Sequence, residues 1–216
     1  MKGVIAIAIA CLMAVTTIAA QHTRLFPPTK LGDLEGPDRD AWQRPDRIMD
    51  ELGIGEGSVV ADLGAGGGWF TVRLAARVGP NGRVYAEDIQ PEMIQAIRRR
   101  VQRLEYRNVE PVLGTALDPR LPRGVLDAAL IVDAYYEMEQ PVTLLKNLAT
   151  SLKPAGRIGI VNFKKDGEGP GPPMEQRIDA DRVIRDAVNA GLKLQSRGDF
   201  LRYHYLLVFV RASTTT

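Results

Sequence analysis

The chain has a single cysteine in 216 residues, Cys11, and it stands inside the apolar opening stretch. One thiol excludes a disulfide within the chain and any thiolate metal site. More apolar residues follow Cys11, which argues against a lipid-modified cysteine. Excess charge is missing too: 28 Lys and Arg face 26 Asp and Glu, a formal net charge of +2. So near-neutral a chain offers no electrostatic case for nucleic acid or for a membrane surface. Histidine is limited to His22 and His204; no His/Asp/Glu cluster has metal-ligand spacing, and no Ser-His-Asp set suggests itself. No internal repeat is visible. The length suits one domain with short extensions, and 45% hydrophobic with 25% charged residues is the balance of a soluble globular fold.

What is present begins with "MKGVIAIAIACLMAVTTIAA", residues 1–20. Lys2, an uncharged run and a small-residue end fit the plan of a secretory signal. Residues 3–20 also approach the length of a spanning helix, so a retained N-terminal anchor is the alternative. The expectation is export, to a periplasmic or extracellular site, or anchoring by residues 3–20. Without residues 1–20 the chain keeps 27 basic and 26 acidic residues, a net +1. Residues 21–38, "QHTRLFPPTKLGDLEGPD", read as an extended leader, and the folded domain is expected over 39–212. The one basic cluster, Arg98, Arg99, Arg100, Arg103 and Arg107, lies opposite Ile94, Ile97, Val101 and Leu104 on a predicted helix. It reads as a solvated face.

A first helix is predicted over about 39–53, with Trp42, Ile48, Met49 and Leu52 inward and Gly53 ending it. Strands and helices then alternate. Val59–Leu63 is an apolar strand, and Phe70, Leu74 and Val78 mark a helix by their spacing. Arg83–Glu87 is a second strand, and Pro91 suits the first turn of the next helix. Residues 108–113 and 125–133 are third and fourth strands. A helix through Leu144, Leu145, Leu148 and Leu152 stops at "KPAG", before a fifth strand at 157–163. Residues 164–173, "KKDGEGPGPP", form a loop able to close over an acceptor. Asp179 or Asp181 caps a helix that ends at Gly191. Two last strands, about 192–197 and 203–210, pair as an antiparallel hairpin. The sum is an α/β doubly wound, mostly parallel, seven-stranded sheet with a C-terminal antiparallel hairpin.

Within that frame, residues 59–70 read "VVADLGAGGGWF", with glycine at 64, 66, 67 and 68. The loop falls at the carboxyl end of the first strand, where such sheets bind ligands. Absent Cβ atoms let a ribose lie against the chain, and backbone N–H groups there can meet an anion or carboxylate. A dinucleotide fingerprint needs a third glycine at 69, where the chain has Trp69. No Gly-Lys-Ser/Thr follows, so no Walker loop is present. Asp88, at the end of the second strand, can accept both hydroxyls of a ribose.

These residues resemble the class I S-adenosylmethionine-dependent methyltransferases, a Rossmann-like family. "VVADLGAGGGWF" looks like their first motif and "VYAEDIQPEMI" like their second. "LDAALIVDAYYEM" resembles the fourth-strand segment, and "LKNLATSLKPAGRIGIVNF" the helix and strand after it. The likeness covers about 39–210, including the reversed final strand. It implies S-adenosyl-L-methionine as cofactor, with Gly64, Ala65, Gly66 and Gly68 along its methionine and ribose parts. It implies Asp62 at the amino end, Asp88 on the ribose and Ile89 beside the adenine. Where the family often places an acid after the third strand, this chain has Gly114-Thr115, with Thr115 as the adenine contact. Asp133, Ala134 and Tyr135 correspond to the methyl-donor and acceptor region.

Methyl transfer from a sulfonium neutralises charge, so placement of the acceptor matters most. A base is needed only where the acceptor sheds a proton, and Asp133, Tyr135 and Tyr136 are the candidate catalytic residues, with Glu137 beside them. His204, between Tyr203 and Tyr205, reads as a structural or exposed residue. The function expected is methyl transfer to a small-molecule acceptor, without nucleic acid or metal. A non-catalytic exported protein that binds S-adenosylmethionine or S-adenosylhomocysteine is the rival, since the donor is made in the cytosol. A nicotinamide oxidoreductase is disfavoured by Trp69. The oligomeric state is not fixed by these motifs.

Overall fold

A computed structural model describes residues 25–166 and 169–212. The signal or anchor stretch, Cys11 and His22 lie outside those residues.

Seven strands form one sheet: β1 (Val59–Leu63), β2 (Arg83–Asp88), β3 (Val109–Leu113), β4 (Leu126–Val132), β5 (Leu152–Phe163), β6 (Leu192–Gly198) and β7 (His204–Arg211). Their order is β3-β2-β1-β4-β5-β7-β6. The first five run parallel, and β7 enters antiparallel between β5 and β6. This is the doubly wound sheet with a reversed terminal hairpin that the sequence predicts. Strand order reverses between β1 and β4, so the ligand edge is the carboxyl end of these strands and of β2.

Helices cover both faces, which is why β1 and β4 are apolar on both sides. Leu130 packs with Ile48, Met49, Leu74, Val84 and Val208 on one face. Its neighbour Ile131 packs with Leu145, Leu148, Ile160, Val183 and Phe209 on the other. The alternation of a strand thus divides one apolar run between two cores. The flanking helices are α1 (Arg39–Gln43), α2 (Pro45–Glu51), α3 (Trp69–Val78), α4 (Pro91–Arg103), α5 (Pro141–Ala149) and α6 (Ala180–Asn189). Asp179 caps α6 by accepting a hydrogen bond from the Asp181 N–H. Among the described residues no helix is long and apolar enough to cross a membrane.

Several expectations are corrected. The single helix over 39–53 is two short ones, because Arg44, next to Pro45, takes a left-handed conformation (φ 49°, ψ 58°). Proline disfavours helical geometry in the residue before it. Trp42, expected inward, is half-buried, while Gln43 is wholly buried. The fifth strand begins at Leu152, so "KPAG" lies inside β5, at a register shift opposite Leu126 and Ala128. Leu104 falls beyond α4 and is exposed, while Arg98, Arg99, Arg103 and Arg107 face solvent as expected. In the leader, Pro28–Leu34 form a 3-10 turn.

The two-sided core makes one prediction. Leu130→Ala should lower stability by about 2–5 kcal/mol, through lost burial and an unfilled cavity. Val188→Ala, at an exposed position, should stay within about 0.5 kcal/mol. Urea unfolding of both variants checks the contrast, and equal losses would contradict the placement of the core.

Candidate functional site

At the carboxyl edge, Leu63 is level with Glu87 of β2 and Ile131 of β4. The glycine loop starts there. Gly64 has φ +65°, and a Cβ on it would stand 2.5 Å from that of Ala134. No other residue fits such a turn. Gly68, also left-handed, leads into α3.

The loop's N–H groups turn inward rather than toward a ligand. Ala65 N–H donates to the Glu87 carbonyl at 2.9 Å, and Gly68 N–H to the Ala65 carbonyl at 2.9 Å. Gly66 N–H donates to Asp88 Oδ2 at 3.0 Å, and Gly64 N–H serves the Glu87 carboxyl. Of the two partners expected for these groups, an anion or a carboxylate, the chain's own carboxyl groups are the ones they meet. A pyrophosphate would find four donors already engaged by the chain's own oxygens.

What the edge offers instead is buried carboxyl groups. Asp62 ends β1 beneath the loop, where Thr71 Oγ1 donates to its Oδ2 at 2.6 Å. Burial pushes its pKa up from 3.8 to about 6, against the pull of the Thr71 bond and of Arg39. Burial also raises Asp88, while the N–H groups of Gln90, Gly66 and Ile89 hold it down. Burial, then the neighbouring Asp88, pushes Glu87 well above the usual carboxylate range. Its Oε1 is buried with no partner, and a Cβ on Gly114 would lie 1.8 Å from that oxygen. So Gly114, read as part of an adenine contact, makes room for Glu87. Asp88 receives Gly66 N–H on one oxygen and Gln90 N–H (2.9 Å) on the other. A carboxylate has about four acceptor sites, so Asp88 keeps acceptor capacity for a ribose hydroxyl beyond these N–H groups. Two buried acids on one face, Asp62 and Asp88, beside bare backbone suit a ligand carrying positive charge, and a sulfonium with an amino group meets that requirement. The residues present fit S-adenosylmethionine.

Across the crevice, Asp133 follows β4 in a left-handed conformation (φ 55°). Strain of this kind persists only where neighbours hold it. Three do. His204 Nε2 lies 3.0 Å from Oδ1, Gln43 Nε2 donates to Oδ2 at 3.3 Å, and Arg39 stands 4.0 Å away. A carboxylate only accepts, so the His204 proton belongs on Nε2; Nδ1 is buried without a partner. The ring stacks on Trp42, centroids 5.5 Å apart at 4°, and meets Phe163 at 3.9 Å. Asp133 also lines a small pocket with Tyr136, Asn162, Phe163, Pro172 and Arg177. Arg177 donates to the carbonyls of Pro172 and Lys164 and stands 5.2 Å over the Phe163 ring.

Not every predicted residue reaches the crevice. Tyr135 turns into the core and donates to Asp186 Oδ2 on α6 at 2.9 Å. Burial and Asp186 raise its pKa, and its place is packing rather than chemistry. Thr115 is tied into a turn: its hydroxyl donates to the Asp118 carbonyl and accepts the N–H groups of residues 117 and 118. Its oxygen thus already accepts twice, leaving no lone pair for an adenine amino group. Trp69 lies under two guanidiniums, with Arg39 at 4.1 Å and Arg73 at 3.5 Å from the ring centroid. Asp62, Gly64, Ala65, Gly66, Gly68, Asp88, Ile89 and Asp133 all lie along the carboxyl edge. Gln43, Arg39 and Glu87 were not singled out by the sequence reading, and His204 was read as structural. The pairing of Phe163 with His204 across β5 and β7 brings the histidine to Asp133.

A doubly wound sheet with bare backbone and buried acids at the tip of β1 defines an adenosyl-binding class of protein. Comparison with known proteins narrows it. A methyltransferase-domain family model matches residues 60–156. The protein-L-isoaspartate O-methyltransferase of Methanothrix thermoacetophila is 31% identical over 113 residues, 52% of this chain and 51% of that protein. The demethylmenaquinone methyltransferase of a Geobacillus species is 27% identical over 110 residues, 51% of this chain and 47% of that protein. The chain thus spans about half the length of the curated relatives it matches. A crystal structure of a SAM-dependent methyltransferase from Aquifex aeolicus superposes with TM-score 0.82 at 28% identity, covering 86% of this chain and 98% of that one. Residues 60–156 therefore form a methyltransferase domain, and by fold the chain is similar to a SAM-dependent methyltransferase.

Two predictions follow from the acids. Asp88→Ala should weaken S-adenosylmethionine binding by about 1–3 kcal/mol through lost hydrogen bonds to the ribose; unchanged affinity in calorimetry would remove Asp88 from the site. Asp62, raised to about 6, keeps its proton in the folded state when the unfolded chain has lost it. Its neutral form stabilises the ligand-free fold below pH 3.8, and that contribution is lost as pH rises through about 6. A bound cation favours the ionised form, so affinity for S-adenosylmethionine should fall about tenfold between pH 7 and pH 5. A dissociation constant flat across that range would separate Asp62 from the bound charge.

Proposed function

We propose that the protein transfers a methyl group from S-adenosylmethionine to a small-molecule acceptor seated beside Asp133. The observation that carries this reading is the Asp133 carboxylate, held in a left-handed backbone by His204 and Gln43 at the end of β4. A carboxylate fixed from two other elements of the fold, next to a pocket, has the placement of a base. In this reading Asp88 holds the ribose diol, Ile89 flanks the adenine, and Asp62 faces the amino end. Bound there, the cofactor supplies an electrophilic methyl group on sulfur. Asp133 takes the proton an acceptor must shed, and His204 and Gln43 fix the direction in which its oxygens point. Tyr136, Phe163 and Arg177 line the acceptor space, with the Tyr136 hydroxyl beside Glu137. Orientation of the acceptor against the methyl group supplies most of the acceleration, since no charge has to be created.

The names of the relatives suggest the probes: an isoaspartyl peptide and a soluble hydroquinone, within a wider panel of small phenols, amines and acids. The wild type should accumulate S-adenosylhomocysteine with at least one of them. Asp133→Asn should lower kcat about 10²–10⁴-fold for an acceptor that sheds a proton, while cofactor affinity stays the same. Tight cofactor binding with no transfer across the panel would favour the non-catalytic binder.

A further inference from the structure

The strand order places β1 between β2 and β4. Phe26, in the leader, is bonded to the flanks on both sides of it. Its N–H donates to Glu137 Oε2 at 3.0 Å, beyond β4, and its carbonyl accepts from Gln90 Nε2 at 3.1 Å, beyond β2. A residue tied to both flanks through its own backbone N–H and carbonyl crosses the tip of β1, where the glycine loop begins. The chain then folds onto the loop itself. Leu34 Cδ1 lies 3.7 Å from the position of a Cβ on Gly66, and Leu31 Cδ2 3.1 Å from that on Gly67. Glu35 pairs with Arg100 of α4, and Arg39 donates to the Leu34 carbonyl while facing Asp133. The absent side chain at Gly67 therefore makes room for the leader.

The hold is nevertheless slight. None of the seven residues of the 3-10 turn is buried, Leu31 and Leu34 are half-covered, and Lys30 is exposed. Segments with few buried apolar contacts are the ones that open locally. Leu34 stands against Gly66, whose N–H is bonded to Asp88, so a ligand placed there would meet this segment.

We infer that residues 26–35 are a cofactor-binding element: a strap that lifts to admit the adenosyl compound and then forms the outer wall of its crevice. This rests on the reading that the crevice takes S-adenosylmethionine. The two leucines close the side of the glycine loop away from the sheet, and the Phe26 backbone bridges the crevice from Gln90 to Glu137. With the strap down, water is kept from the methyl group; with it up, product leaves.

The test uses the full chain and S-adenosylhomocysteine as probe, with stopped-flow tryptophan fluorescence giving both rates. Leu31→Ala/Leu34→Ala loosens the strap from within. Gln90→Ala removes a tether from outside it and guards against a folding defect in the first variant. Both variants should release the probe about tenfold faster than wild type and also bind it faster, with unchanged thermal unfolding. Trypsin cleavage after Lys30 in the wild type should slow when the probe is bound. Rates equal to wild type in both variants, or cleavage indifferent to the probe, overturn the strap alone. A wild type that binds no probe overturns the adenosyl reading and the strap with it.

Discussion

The site depends on how the first strand's glycine loop satisfies its own backbone. Gly64 and Gly66 give their N–H groups to the side chains of Glu87 and Asp88, and Ala65 gives its own to the Glu87 carbonyl. Closing the loop on β2 in this way engages the donors an anion would need and leaves buried carboxyl groups as the chemistry of this edge. One geometric choice thus sets both the shape and the charge preference of the site. It separates a sulfonium pocket from a pyrophosphate pocket more firmly than the count of glycines does, because it concerns where hydrogen bonds already go.

The acceptor side shows the same economy of means at longer range. Asp133 comes from β4, Gln43 and Arg39 from α1, and His204 from β7, yet their polar groups meet within a few ångströms. The break at Arg44–Pro45 matters here. It lets α1 turn Gln43 inward while α2 keeps Ile48 and Met49 in the core. Arg39 ties this group to the leader through the Leu34 carbonyl, so the leader and Asp133 share one guanidinium. Burial lowers the pKa of that guanidinium, with Asp133 pulling the other way.

Much of this was legible in the sequence, and the reason is periodicity. Strands buried on two sides and helices with one apolar stripe write their pattern locally, so β1, β2 and β4 are found to within a residue. The glycine motif and Asp88 are legible for the same reason, since a strand end fixes where they stand. Tyr135 was misread because residues just after a strand point in alternating directions, and the sequence alone does not say which enters the core. Glu87 was passed over as a strand terminus, although an acid beside Asp88 has to point to the other face. Gln43 and His204 carry no local signal. Their role exists only once β7 is laid beside β5 and α1 is folded over the edge. The leader was read as an extension because its Pro-, Gly- and charge-rich composition has no period, yet two of its leucines rest on the loop.

The central claim is that an adenosyl sulfonium lies on bare backbone at the tip of β1, among buried acids, with its sugar on Asp88. A crystal structure of the protein grown with S-adenosylhomocysteine tests it most directly. The account predicts the ribose hydroxyls on Asp88 and the homocysteine chain along Gly64 and Gly66. Density for the compound at another place, or an Asp88 carboxylate still bonded only to Gly66 and Gln90 in saturated crystals, would contradict it.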